Sequence, residues 1–167
     1  MPEKTLHIIR HGKSSWDFED ISDIDRPLAP RGINNACFMA NKLAERKVSP
    51  DLILSSPANR AIYTALIFSR VMKLRYEIIR IEDLIYTGNP EELINLIRRQ
   101  DNALNEILIF GHNPAFTSLA NQLIAEFIEN IPTTGIVSLT YETDTWTDTG
   151  KLTPANYLFD YPKKYKQ

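Results

Sequence analysis

Four side chains able to handle a doubly charged oxyanion fall in three short stretches: Arg10-His11-Gly12, Ser55-Ser56-Pro57-Ala58-Asn59-Arg60-Ala61 and Gly111-His112-Asn113-Pro114. Each follows an apolar run, the place where a strand ends and the chain turns toward a helix. Gly12 permits a sharp turn and lets backbone approach a ligand closely. Ser56 is a good helix cap and Pro57 a good first helical residue, which puts Arg60 in a first turn. A cation there opposes the helix dipole at a cost of about 0.3 kcal/mol or more, unless an anion lies between them. Asn113 and Pro114 repeat the pattern, and His112 projects from just before that positive helix end. Two guanidiniums, two imidazoles and two helix N-termini have no joint use in folding, whereas a phosphoryl dianion would neutralise them. Arginine's planar fork holds two phosphate oxygens at once and follows them as the group flattens during transfer.

These residues meet only if strands bring them together. Apolar, β-branched runs at Leu6 to Ile9, Leu52 to Leu54, Ile78 to Ile81, Ile107 to Phe110 and Ile136 to Leu139 read as strands. Helical patterns lie between them at about Pro30 to Arg46, Pro57 to Val71, Pro90 to Arg99 and Pro114 to Phe127, three with a polar residue before the proline. Runs as continuously apolar as Ile107-Leu108-Ile109-Phe110 are buried on both faces, which helices on both sides of a parallel sheet produce. The expected fold class is α/β: a three-layer α/β/α sandwich with a mostly parallel central sheet, in a single domain over 1–167. The stretch Asp144 to Lys151 reads as a hairpin region, and Tyr157 to Phe159 as a last edge strand. In such sheets ligands collect beyond the carboxyl ends of the strands, where the three stretches lie.

The 167 residues are 43% apolar and 24% charged, values of an ordinary globule with a core. A net charge of −2, with no basic cluster larger than Lys163, Lys164 and Lys166, argues against nucleic acid as a partner. No apolar run reaches the roughly 20 residues of a membrane span, and Met-Pro-Glu-Lys lacks the apolar stretch of a secretion signal, so no membrane partner and a cytoplasmic location are expected. Cys37 is the single cysteine, without a disulfide partner; Ile33, Ala36, Ala40, Leu43 and Ala44 share its helical face, which makes it core. His7, inside the first strand, reads as structural. No metal or cofactor is expected, because histidines flanked by arginines repel a cation and no carboxylate cluster accompanies them.

The three stretches resemble the histidine phosphatase superfamily, which contains cofactor-dependent phosphoglycerate mutases, acid phosphatases and SixA-type phosphohistidine phosphatases. Arg10-His11-Gly12 is similar to its signature, Ser56-Pro57 through Arg60-Ala61 and Thr64-Ala65 to its second block, and Gly111-His112-Asn113-Pro114 to its third. The short length and Arg26-Pro27-Leu28 followed by Arg31-Gly32 are closest to the SixA-type branch, which lacks the large inserted helical lid. The resemblance implies that His11 carries the phosphoryl group, that Arg10, Arg60 and His112 hold it, and that Arg26, with the backbone at Gly12, adds a substrate contact. This chain departs from the pattern in having Ala29 where relatives carry a capping Ser or Thr, and in lacking the mutase-like glutamate that serves as general acid. Near that position only Glu82 and Asp83 occur; Asp83 is the candidate acid, with Asp25 behind it.

A histidine attacks phosphorus only as neutral imidazole, and Arg10 and Arg60 should favour that form by repelling a third positive charge. His11 should therefore titrate below about 6.5. An alkoxide leaving group needs a proton donor and imidazole needs less help, so the weak acid signal favours phosphohistidine over phosphate esters. Without a lid the pocket should be shallow and open, rimmed by Lys13, Ser14 and Trp16, and suited to a phosphorylated protein or a modest metabolite; Trp16 could equally be a core anchor. A monomer is the default. The alternatives are a broad phosphomonoesterase and a phosphate-binding module without turnover.

Overall fold

The computed structural model describes residues 2–165, so Lys166 of the basic terminal cluster lies outside them. Six strands form one sheet: β1 (Lys4–Arg10), β2 (Leu52–Ser55), β3 (Ile79–Ile81), β4 (Glu106–Gly111), β5 (Ile136–Tyr141) and β6 (Asn156–Asp160). Their order is β3-β2-β4-β1-β5-β6. The first four are parallel; β5 runs antiparallel to β1, and β6 antiparallel to β5. The helices are α1 (Pro30–Glu45), α2 (Asn59–Val71), the short α3 (Leu84–Thr87), α4 (Pro90–Arg98) and α5 (Ala115–Leu123).

Alternation along the strands divides the core in two, because successive side chains leave a strand on opposite faces. Leu6, Ile8, Leu54, Ile107, Ile109 and Val137 pack against Leu93 and Ile97 of α4 and Phe116 and Leu119 of α5. Ile9, Ile53, Leu108, Phe110 and Ile136 pack on the other face against Met39 and Leu43 of α1 and Phe68 of α2. The architecture is thus the expected α/β/α sandwich, and no large insert interrupts the described residues. Cys37 packs against the second cluster but is half-buried, at the margin of the core rather than inside it. His7 is structural too: its Nδ1 is 2.7 Å from Ser138 Oγ and its Nε2 2.8 Å from the Glu106 carboxylate. Among the described residues, no helix is long and apolar enough to cross a membrane.

Several boundaries differ from the sequence reading, each for a local reason. α2 starts at Asn59, with Ala58 at the cap position, because Ser56 Oγ accepts from Ala58 N–H at 3.1 Å and closes a tight turn ahead of the helix. α5 starts at Ala115, although Asn113 Oδ1 still accepts from Thr117 N–H and Oγ1–H; the Asn113–Pro114 peptide is cis. It ends at Leu123 rather than Phe127, since the Asn121 side chain donates to Ile128 C=O and accepts from Ile128 N–H, fixing the chain in an extended exit. Phe127 is exposed. Of the three expected caps, Asn89 alone makes a full capping box, with Glu92. Ala29 leaves the start of α1 without a side-chain cap. The stretch 144–151 holds a 3₁₀ turn at Trp146–Asp148 within the connection joining antiparallel β5 and β6.

Candidate active site

The sheet order explains why residues a hundred positions apart become neighbours. β1 and β4 lie side by side with Arg10 opposite Gly111, so the next residues, His11 and His112, leave the sheet together. His11 N–H donates to Gly111 C=O at 3.0 Å, extending the ladder by one bond. The two imidazole centroids are 5.1 Å apart. β2 lies on the other side of β4 and delivers Arg60 through the first turn of α2.

Local contacts set each ring. A carbonyl can only accept, so the 2.7 Å contact between His11 Nδ1 and Gly12 C=O places the proton on Nδ1 and leaves the Nε2 lone pair free. Gly12 N–H donates to Thr64 Oγ1, which donates to Arg60 C=O, tying the nucleophile loop to α2. The absence of a Cβ at Gly12 serves packing, since one would stand 3.0 Å from Gly32 C=O; Gly12 does not line the cavity, and its carbonyl acts by orienting His11. Gly32 is tighter still, for a Cβ there would meet Lys13 C=O at 2.2 Å, so the first turn of α1 lies directly on the loop after His11. Behind the loop, Thr134 N–H donates to both Arg10 and His11 C=O from a backbone at φ 62°, unusual for a β-branched residue and held by these bonds.

A cleft of about 230 Å³ is lined by Arg10, His11, Lys13, Ser14, Trp16, Asp23, Arg26, Arg60 and Thr133. Trp16, 70% exposed, is a rim residue and no core anchor; the Arg26 guanidinium lies 3.6 Å from its ring centroid. Arg60 is buried and donates to the Asp23 carbonyl at 2.7 Å and the Asp23 carboxylate at 3.0 Å. Arg26 donates to the same carboxylate at 2.8 Å, as does Tyr86 Oη at 2.7 Å. These bonds, Arg26 first and Tyr86 next, hold the Asp23 carboxyl far below the usual carboxylate range. His112 lies outside the lining, its Nε2 2.7 Å from Ser56 Oγ. His112 Nδ1 and Arg10 Nε are buried without protein partners.

Burial lowers the His11 pKa to about 3, with the neighbouring His112, Arg60 and Arg10 charges pushing the same way. The direction matches the sequence expectation, but desolvation outweighs the arginines. His112 falls to about 4, chiefly through burial and then through Arg60. Arg10, Arg60, His11 and His112 are thus brought together, and Arg26 joins them. Asp83 is not: it is exposed, precedes α3 and does not line the cleft, its carbonyl serving Tyr86 and Thr87 N–H. Asp25 is exposed and accepts from Ser22 Oγ. The carboxylate in the cleft is Asp23, which sequence reasoning missed; its one signal is a position three residues before Arg26.

Comparison with known proteins bears on the family and the fold. The sequence pattern of the histidine phosphatase superfamily (branch 1) matches residues 6–85. An uncharacterized protein of Mycobacterium tuberculosis is 33% identical over 141 residues, which cover 78% of this chain and 85% of that one. The structure of the proposed phosphohistidine phosphatase SixA of Agrobacterium tumefaciens superposes with a TM-score of 0.78 at 26% identity, over 95% of this chain and 98% of the other. That of the protein histidine phosphatase SixA complexed with tungstate superposes at 0.77 and 24% identity, over 94% of both.

Proposed function

Since this chain belongs to the histidine phosphatase superfamily, in its SixA-type branch, we propose that it is a cytoplasmic phosphatase that works without a metal ion, forms a phosphohistidine at His11 and acts on phosphohistidine in proteins. The observation that carries the substrate choice is Asp23. It is the only carboxylate lining the cleft among the described residues, and two guanidiniums and a phenol keep it ionised. An ionised carboxylate has no proton for a departing alkoxide. Phosphohistidine takes its proton from water on the ring nitrogen that does not carry phosphorus, so imidazole departs neutral.

In the proposed cycle the His11 Nε2 lone pair attacks phosphorus while the P–N bond to the substrate breaks and its electron pair returns to the departing imidazole. Arg10 and Arg60 bear on the phosphoryl oxygens, with Arg26 as a further contact and His112 beside His11; holding charge that spreads over these oxygens is the usual dominant contribution. Water then attacks phosphorus, the P–Nε2 bond breaks, and the water proton leaves with inorganic phosphate. The unpartnered His112 Nδ1 and Arg10 Nε suit a site whose guest is an oxyanion. Tungstate, the ligand of the SixA structure, is a tetrahedral oxyanion of that kind. A metal ion does not fit a lining of cations whose one carboxylate already serves two arginines.

The test is to trap the intermediate. Brief reaction with a labelled phosphohistidine peptide, followed by denaturation, should leave acid-labile, base-stable label on His11 and none on the His11→Ala protein, which should bind phosphate yet not turn over. Near-normal turnover by His11→Ala would remove the covalent mechanism. Faster turnover of simple alkyl phosphates than of phosphohistidine peptides would favour the broad phosphomonoesterase.

A further inference from the structure

A second groove, of about 270 Å³, is lined by Arg31, Asn35, Pro132, Thr133, Tyr161, Pro162 and Lys163. Thr133 also lines the phosphate cleft, so the two cavities share a wall. The groove is assembled from three parts of the chain: the first turn of α1, the loop before β5 and the 3₁₀ turn after β6. Its floor is apolar, formed by Pro132, Pro162 and the ring of Tyr161. Its two charged residues are both cations, and neither Arg31 nor Lys163 has an ion-pair partner among the described residues, where every other lysine or arginine of the phosphate cleft except Lys13 and Arg10 faces Asp23.

Arg31 and Lys163 stand together beside an apolar strip with no carboxylate in the groove lining. Among the described residues, no hydrogen bond or ion pair engages either side chain. Arg31 stands in the first turn of a helix with no acidic residue there, where a cation is disfavoured. It is adjacent to Gly32, which packs on Lys13 within the loop that follows His11, and the groove meets the phosphate cleft at Thr133.

We propose that this groove is a substrate subsite for a carboxylate-bearing peptide segment flanking the phosphorylated residue: Arg31 and Lys163 pair with an Asp or Glu side chain while the backbone lies along Pro132, Tyr161 and Pro162. The proposal rests on the phosphoprotein reading above and adds sequence context to it. A carboxylate is preferred to a second phosphate because the groove lacks the buried guanidinium and imidazole groups that mark the phosphate cleft; its cations are exposed side chains, suited to a solvated, singly charged partner.

The experiment compares two phosphohistidine peptides of equal length, one with Glu and one with Gln beside the phosphohistidine, and uses phosphoramidate as the reference substrate for each protein. The wild-type kcat/KM ratio should favour the Glu peptide by about fivefold to tenfold at low ionic strength, the effect of two rim ion pairs, and the ratio should shrink with added salt. Arg31→Gln with Lys163→Gln should bring the ratio to about one, Arg31→Lys should retain part of it, and Arg31→Glu with Lys163→Glu should invert it. Turnover of phosphoramidate with equal use of both peptides by the wild type would overturn the subsite alone. No turnover of phosphoramidate or of either peptide would overturn the phosphatase reading, and the subsite with it.

Discussion

Lowering the pH from 7.5 to 5.0 should destabilise the fold through two histidines. Both His11 and His112 are held neutral in the native state, at pKa values of about 3 and about 4, mainly by burial. In the unfolded chain each returns to about 6.5. Above that pH neither state binds a proton and the two residues contribute nothing to the pH dependence. As pH falls below about 6.5 the unfolded state gains protons that the native state refuses, so stability declines until the native pKa values are reached. At pH 5.0, about 1.5 units below the reference, each histidine costs about 2 kcal/mol, roughly 4 kcal/mol together, against a typical total of about 5–15 kcal/mol. The Asp23 carboxyl stays out of this window: its pKa is depressed, so the stability it contributes is lost only as pH falls below the unfolded carboxylate range. Urea unfolding followed by circular dichroism is the assay. With a slope of about 2 kcal/mol per M, the midpoint should fall by about 2 M between the two pH values. In a protein carrying His11→Gln and His112→Gln most of that fall should vanish. An equal fall in the wild type and the double variant would show that these imidazoles are not the neutral, desolvated pair that the mechanism needs.

Other perturbations read other parts of the site. Gly32→Ala forces a Cβ against the Lys13 backbone, which cannot rotate away, so it should cost about 3 kcal/mol in urea unfolding and lower turnover by displacing the loop after His11; wild-type stability would refute that close contact. Ser56→Ala removes both the partner of His112 Nε2 and the acceptor of Ala58 N–H, so it should lower kcat about fivefold to tenfold and also cost about 1–3 kcal/mol in urea unfolding; an unaltered kcat would mean that the ring needs no such support. Asp23→Asn removes the anion that competes with phosphate for Arg26 and Arg60, so inhibition by inorganic phosphate should tighten severalfold while stability changes by less than about 1 kcal/mol, the carboxylate being half exposed. A weakened inhibition would mean instead that this carboxylate serves to hold the guanidiniums in place.

Four site residues were legible because strand ends and helix starts have local signatures: a β-branched run and then a turn-forming residue, followed by proline in the stretches that hold Arg60 and His112. Their convergence followed from the rule about carboxyl ends of parallel strands, and β1, β2 and β4 obey it. What stayed hidden depends on contacts distant in sequence. Asp23 sits in a long connection without hydrophobic period, and only the folded chain reveals that Arg26, Arg60 and Tyr86 meet there. Asp83 was attractive by its place after a strand, yet β3 is at the sheet edge, one strand farther from His11 than β2, and its end does not reach the cleft. The early end of α5 depends on Asn121 serving as a backbone substitute for residue 128, which no propensity records. The reversal of β5 was likewise unreadable from its apolar pattern, because a buried strand looks the same in either direction.

The pairing of Arg10 with Gly111 makes the distance between the two imidazoles a matter of counting. A one-residue deletion within β1 or β4 would move one ring by about 3.3 Å along its strand and point it to the opposite face of the sheet, separating the pair at a stroke. Additions between the strands carry no such penalty, since they lengthen surface connections without altering the ladder. The fold can therefore accept new loops, and with them new clients, while its reactive centre is guarded by nothing more elaborate than strand register.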